Sequence, residues 1–280
     1  MMLRKIYYAL NSDLRLFFRR LWFLPTDVWE SISKDKNPLI PPKGLIFTGR
    51  GDYINQGEAF FKIFRRHCEL EPTDSILDIG SGVGRMAISL IGFLSPTGEY
   101  YGLDIVKSGI KWCTKSVTTR FPNFKFIHAD IYNDLYNDKG KLSATSYRFP
   151  FEDKKFNFIF LTSVFTHMLP DEVENYLKEI SRVLKPGSKC LITFFILNEY
   201  SIRCMHQNIT DFQFPFEKGY YSLMSEDAKT GNVAFKEDYL ESLFERFHLK
   251  IVHKSYGFWT GRNKAECLDF QDIIILEKLN

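Results

Sequence analysis

Cysteine is scarce in this sequence of 280 residues, and the five present, at 68, 113, 190, 204 and 267, include no Cys-x-x-Cys pair. An odd, scattered set argues against a disulfide framework and against a zinc site, and fits reduced thiols in a cytoplasmic protein. Long apolar runs are missing too, so no stretch reads as a membrane span. Asp13, Arg15, Arg19 and Arg20 interrupt the opening stretch and argue against a secretion signal. Net charge is small: 37 Lys and Arg against 34 Asp and Glu leave +3, too little to argue for a nucleic-acid partner. No internal repeat and no low-complexity tract is visible. The sequon Asn208-Ile209-Thr210 and the tripeptide Arg50-Gly51-Asp52 read as chance matches. What is present is a 45% hydrophobic composition, enough to bury the core of one domain, or of one domain with an appendage.

The charge is unevenly placed. Residues 1–24 carry Arg4, Lys5, Arg15, Arg19 and Arg20 against Asp13 alone. Leu3, Ile6, Tyr7, Leu10, Leu14, Phe17, Phe18 and Leu21 recur there at helical spacing, so 3–24 reads as an amphipathic helix, with Pro25 as its stop. Such a helix can dock on an anionic membrane surface, pack on its own domain, or meet a second subunit. The Pro- and Gly-rich stretch 37–52 reads as a linker. Residues 1–52 are therefore expected to be a helical extension, and 53–280 the main domain.

Within that domain a short helix fits 58–68. Strand patterns then fall at 75–79, 99–104, 124–128, 156–162 and 190–197, with helices between them at 84–94, 107–118 and 171–184. Alternation of this kind predicts a parallel sheet with helices on both faces. Lys185-Pro186-Gly187 reads as the turn into the fifth strand. Regularity lapses over 198–234, which is aromatic and reads as a lid insertion. Helix 236–247 and strands 249–256 and 270–277 follow, the last two as an antiparallel pair.

The segment SILDIGSGVGRMAISL (75–90) is a strand entering a glycine turn that opens a helix. Glycines admit a ligand close to the backbone, and a helix start offers N–H groups and a positive dipole end. A dinucleotide fingerprint wants Gly-x-Gly-x-x-Gly, and here the third position would be Arg85. Asp104 ends the second strand, 20 positions after Gly84, where a carboxylate can accept both ribose hydroxyls of a nucleoside. Asp130 follows the third strand. Three acids after three successive strands form a specific constellation.

The pattern Asp78-x-Gly80-x-Gly82-x-Gly84 resembles the first motif of class I S-adenosylmethionine-dependent methyltransferases of the small-molecule type. The likeness continues through 149–195, with a Pro-Phe loop before the fourth strand and a Lys-Pro-Gly turn before the fifth, and covers roughly 53–197. It departs at Asn157, where the family commonly carries aspartate at a structural position. The resemblance implies an α/β, doubly wound Rossmann-like fold whose parallel sheet ends in an antiparallel strand. It implies S-adenosylmethionine as cofactor. Asp78 would hold the methionine amino group, with Gly80, Ser81, Gly82 and Gly84 passing under the ligand. Asp104 and Ile105 would take the ribose, Asp130 and Ile131 the adenine, and Ser163 would join these contacts after the fourth strand. Tyr53 or Gln56 would fold over the cofactor, although a plain helix entry serves equally well.

His167 lies at the carboxyl end of the fourth strand, where ligands bind in such sheets, and is the candidate base. The other histidines read as structural. Tyr220, Tyr221, Trp259 and Arg262 are the candidate acceptor contacts, with ordinary lid packing as the alternative. No acidic pair follows the fourth strand, where cation-dependent relatives place theirs, so no metal is expected. The expected acceptor is a hydroxyl of a small molecule or saccharide. A nicotinamide-dependent oxidoreductase and a non-catalytic partner protein of the same fold stay open at this point.

Overall fold

The computed structural model describes residues 11–32, 37–47 and 52–280; the parts of the predicted helix and linker at 3–10 and 48–51, with Arg50 and Gly51, lie outside the described residues. Contacts gather the chain into two compact units: residues up to Arg65 together with Glu71–Lys141, and Arg66–Leu70 together with Leu142–Asn280.

In the first unit, β1 (Ser75–Ile79), β2 (Glu99–Asp104) and β3 (Phe124–His128) run parallel and in register, Ser75 opposite Glu99 and Tyr100 opposite Phe124. The apolar side chains of β1 and β2 are buried, as is Phe124 on β3, and the Tyr100 ring stacks on Phe124 at 5.2 Å. Among the described residues, helix α1 (Ser12–Ile32) comes first in the unit, and α2 (Tyr53–His67) begins in it. Helices α3 (Arg85–Leu90) and α4 (Lys107–Cys113) follow β1 and β2, and α4 continues into a π turn over Thr114–Thr118.

Helix α1 corrects the predicted stop at Pro25: the proline lies inside the helix. Proline removes one intrahelical hydrogen bond, and here it sits exposed, where water can serve the carbonyl left over. The polar side of α1 is tied down locally. Arg15 donates to the Asp134 carbonyl at 3.1 Å, and Ser12 Oγ donates to Asp138. Asp27 accepts the backbone N–H groups of Lys43 and Gly44 at 2.7 and 3.0 Å. A Cβ on Gly44 would stand 3.0 Å from the Arg20 Cα, so glycine permits this close approach.

In the second unit, β4 (Phe156–Leu161) and β5 (Leu184–Phe194) are parallel, with α5 (Pro170–Val183) between them in sequence. β11 (Asp272–Lys278) pairs antiparallel with β5, and β10 (Leu249–Ser255) antiparallel with β11, as the sequence predicted. Helix α7 (Glu237–Arg246) leads into β10. β5 begins earlier than expected: Leu184 already pairs with Phe156, and the register shifts before Phe158 pairs with Lys189. Gly187, at φ +75°, absorbs this irregularity inside the strand. Asn157 accepts a hydrogen bond from Lys185 at 2.9 Å, a structural contact.

The stretch read as an irregular lid is ordered. After β6 (Ile196–Leu197) come α6 (Glu199–His206), β7 (Phe216–Glu217), β8 (Tyr221–Leu223) and β9 (Val233–Lys236). The four strands form a second sheet in the order β6-β9-β8-β7. Strands of two to four residues are too short to show alternation, which is why no period was visible.

Candidate functional site

The glycine turn follows β1, and its backbone is one that L side chains resist. Gly80, Gly82 and Gly84 have φ of +84°, +56° and +79°. The N–H groups of Gly80 and Ser81 both donate to the Leu103 carbonyl on β2, at 2.7 and 3.2 Å. A Cβ on Gly84 would lie 3.0 Å from Cys113 Sγ, and one on Gly109 would lie 2.4 Å from the Gly82 carbonyl oxygen. The turn is thus pressed against α4, and Gly109 is what permits it. Tyr53 caps it by donating from its hydroxyl to the Val83 carbonyl at 2.7 Å. Gln56 accepts from Arg85, whose guanidinium lies 5.5 Å from the centre of the Tyr53 ring. In this arrangement Tyr53 and Gln56 brace the turn.

Three acids line the carboxyl edge of these parallel strands. Asp78, 1% exposed, accepts the Tyr100 hydroxyl on Oδ2, while its Oδ1 is buried without a hydrogen-bond partner. Burial pushes the Asp78 carboxyl up to about 8; the Tyr100 hydrogen bond opposes the shift and the nearby Asp104 charge adds to it. Asp104 accepts the N–H of Gly82 at 2.7 Å on one oxygen and that of Val106 at 2.6 Å on the other. Burial raises its pKa, against the pull of those two N–H groups. Each oxygen keeps a second lone pair, so both can accept a hydroxyl. Ala129 N donates to the Asp104 carbonyl at 2.9 Å, which brings the end of β3 to the same edge. Asp130 there is half-buried and accepts from Asn137 at 3.3 Å, and Ile131 is buried. Ile105 is half-buried and gives its carbonyl to His128 Nε2 at 3.1 Å.

The residues read as cofactor contacts on β1, β2 and β3 therefore converge. They suit a nucleoside carrying an amino acid. The orphaned Asp78 oxygen and the buried Ser81 Oγ, also without a partner, call for donors or acceptors from a ligand. Sequence reasoning missed Tyr100, Gly102 and Gly109. A Cβ on Gly102 would lie 2.7 Å from the Phe126 ring and 2.8 Å from Ser81 Oγ. A glycine inside an apolar strand was the signal for that one.

The remaining candidates lie in the second unit. Ser163 is exposed at φ +58°; its N–H donates to Thr193 Oγ1 at 2.8 Å and its hydroxyl to Gln271 at 3.1 Å. His167 ends a 3-10 turn over Phe165–His167, with Nδ1 2.9 Å from the Thr230 carbonyl. A carbonyl only accepts, so the neutral ring carries its proton on Nδ1 and its basic lone pair on Nε2.

The four aromatic and basic candidates do not form one cluster. Tyr220 stacks on Tyr239 at 4.2 Å, and Tyr221 lies on β8 against Phe235. Arg262 lies 3.8 Å over the Tyr200 ring, in a cleft of about 300 Å³ lined also by Tyr256, Asn263 and Cys267. Trp259, expected to face an acceptor, is 1% exposed instead: it packs on Phe195 and Phe214, and its indole N–H donates to Asp272 at 2.8 Å. Asp272 also accepts the N–H groups of Gly257 and Ile196, both at 2.7 Å, and burial raises it to about 7. A buried carboxylate needs such donors, and the indole is one of them. Among the described residues no group of three His, Cys, Asp or Glu is placed to hold a metal ion, and no helix is long and apolar enough to cross a membrane.

Residues 77–192 match the model of a family described as a methyltransferase domain. Among curated proteins, the chain is similar to a demethylmenaquinone methyltransferase of Geobacillus sp. (strain WCH70), 29% identical over 143 residues, which is 46% of this chain and 54% of that one. It is similar also to a demethylmenaquinone methyltransferase of Staphylococcus aureus (strain JH9), 31% identical over 119 residues, 42% of each chain. The aligned part spans about half the length of these curated relatives. Among solved structures, a protein of Pyrococcus horikoshii OT3 superposes with a TM-score of 0.56 at 18% identity, over 84% of this chain and 94% of that one. A SAM-dependent methyltransferase of Methanosarcina mazei gives 0.51 at 21% identity, over 75% and 94%. These likenesses establish the Rossmann-like fold.

Proposed function

Because this chain belongs to the class I S-adenosylmethionine-dependent methyltransferase family, we propose that it transfers the methyl group of S-adenosylmethionine to a nucleophilic atom of a small-molecule acceptor. The observation that carries this reading is the buried, unpartnered Oδ1 of Asp78 beside the glycine turn. An ammonium group there would satisfy it and convert a costly buried carboxyl into one half of an ion pair. Asp104 then orients the ribose with both oxygens, and Asp130 and Ile131 hold the base. When bound, the cofactor supplies a methyl group already activated by its sulfonium. The protein's own work is to align the acceptor with that methyl and to exclude water. The catalytic domain is read as 53–280, with 1–52 as an extension.

For the acceptor we favour a hydroxyl oxygen of a small molecule or saccharide, with His167 taking the proton on Nε2. The Nδ1–H bond to the Thr230 carbonyl supports this, since it sets the tautomer a base requires. Tyr220, Tyr221 and Arg262 are the residues assigned to orientation of the acceptor, and Ser163 is assigned to the cofactor. A second reading, methylation of a quinone ring carbon, is favoured by the curated relatives, both called demethylmenaquinone methyltransferases. Incubation with methyl-labelled S-adenosylmethionine and a panel of saccharides, phenols and quinones tests both. Label on a saccharide or phenol oxygen supports the first reading and label on a quinone carbon the second. Cofactor binding without transfer to any of them, or to any component of a cell extract, refutes the enzymatic reading.

A further inference from the structure

One face of α1 is left bare to an unusual extent for a protein in water. Trp22 is 80% exposed and Trp29 79%, and Phe17, Phe18, Leu21 and Leu24 are each more than half exposed. At about 100° per residue these side chains fill one sector of the helix about 160° wide, with Leu24 at one edge and Trp22 at the other. No charged residue falls within it. The opposite side is fixed to the chain by Asp27 and Glu30: Asp27 accepts from the Lys43 and Gly44 backbones, and Glu30 pairs with Lys43 at 2.6 Å. Asp13, about 20° beyond Leu24 by the same geometry, pairs with Lys139 at 2.6 Å.

The charges at the edges follow from that. Each carboxylate of α1 has a local partner, whereas Arg19 and Arg20 have no carboxylate within ion-pair distance among the described residues. By the same helical geometry, Arg19 lies about 60° beyond Trp22, with its guanidinium 5.1 Å from the centre of the Phe23 ring, and Arg20 lies about 40° beyond Leu24, past Asp13, whose charge is met by Lys139; one arginine thus lies outside each margin of the apolar sector. Residues 1–24 together carry five basic side chains and one acidic one.

We propose that α1 is an interfacial anchor, lying in the plane of an anionic lipid surface with the Phe17–Trp29 face among the acyl chains and Arg19 and Arg20 on the headgroups. Three features select lipid over a second copy. A helix-to-helix seam needs a narrower stripe than this sector. Tryptophans on an outward face suit the water–lipid boundary, where the ring is buried and the N–H is wet. Arginines at both margins complement anionic headgroups, whereas in a two-fold pair of these helices they would gather like charges. The charge seen in the sequence thus flanks the contact, and apolar insertion is its main source of affinity. The inference rests on α1 alone and holds whichever acceptor is methylated.

The test uses the full chain with vesicles of phosphatidylcholine and phosphatidylglycerol at low salt. Sedimentation with the vesicles is expected, together with a blue shift of tryptophan emission, because two of the four tryptophans move out of water. The triple variant F18S/W22S/W29S should lower the partition coefficient by at least about 100-fold, given the apolar area withdrawn. Its affinity for S-adenosylmethionine should stay as in the parent, which shows that the variant is folded and separates anchoring from methyl transfer. Wild-type protein that stays in the supernatant overturns the proposal, as does a triple variant that binds like wild type. A stable dimer whose tryptophan emission ignores lipid also overturns it, and assigns the face to a second copy.

Discussion

Replacing Asp78 by asparagine should stabilise the ligand-free protein and blind it to its cofactor, and the first effect should grow with pH. The Asp78 carboxyl is raised to about 8 by burial in the folded protein, while in the unfolded chain it titrates at about 3.9. The folded state therefore holds the proton more tightly. The stability this proton contributes is fully present below the unfolded pKa and is lost as pH rises towards about 8. Over that window each pH unit costs roughly 1.4 kcal/mol. Asparagine does not titrate, and its amide can still accept the Tyr100 hydroxyl. Its advantage over aspartate should thus widen by about 2–3 kcal/mol between about pH 5 and about pH 7. For a chain of this size that corresponds to a gap in Tm larger by roughly 3–6 °C at the higher pH. Thermal melts of both proteins across that range measure it. The same variant should bind S-adenosylmethionine at least about tenfold more weakly, since a neutral amide replaces a charged acceptor of the ammonium. A difference in Tm that is flat with pH would show that Asp78 is already ionised in the free protein, and would refute the argument from its unpartnered oxygen.

Asp104→Ala should weaken S-adenosylmethionine binding by tenfold or more in calorimetry, because charged hydrogen bonds of roughly 1.5–3 kcal/mol each are lost; unchanged affinity would remove Asp104 from the site. Gly109→Ala places a methyl group 2.4 Å from the Gly82 carbonyl and must displace the glycine turn, so cofactor affinity should fall although residue 109 is outside the motif; an affinity equal to wild type would mean that the turn does not need this packing. His167→Ala should slow methyl transfer by about 10²–10⁴ at neutral pH with little change in cofactor affinity. Near-normal turnover, or a joint loss of Tm and cofactor affinity, would mark the histidine as structural.

The acidic and glycine positions of the candidate cofactor site were legible in the sequence because they are local. A strand, a tight turn and a helix start are contiguous in 75–90, and the turn needs glycine at positions that no other residue occupies cheaply. Asp104 and Asp130 were legible because parallel strands bring every strand end to one edge. The antiparallel closing pair was readable as well, since Ile273, Ile274 and Ile275 can only be a buried strand. Other properties belong to the fold alone. The raised pKa of Asp78 depends on burial and on the nearby Asp104 charge, against the hydrogen bond from Tyr100, a residue 22 positions away. The fit of Gly109 under Gly82 depends on how two helices approach one turn. Trp259 was read as an acceptor contact and is core, because the ring packs on Phe195 and Phe214, which come from much earlier in the chain. The small sheet of β6–β9 was hidden because its strands are too short to carry a period. Helix α1 divides the two kinds of knowledge most clearly. Its amphipathic spacing could be read directly, but which side is held by Asp27, Asp13 and Arg15 and which faces outward is fixed only by contacts with residues up to 126 positions away. Amphipathic spacing states that one face must be covered, and only tertiary packing decides what is left to cover it.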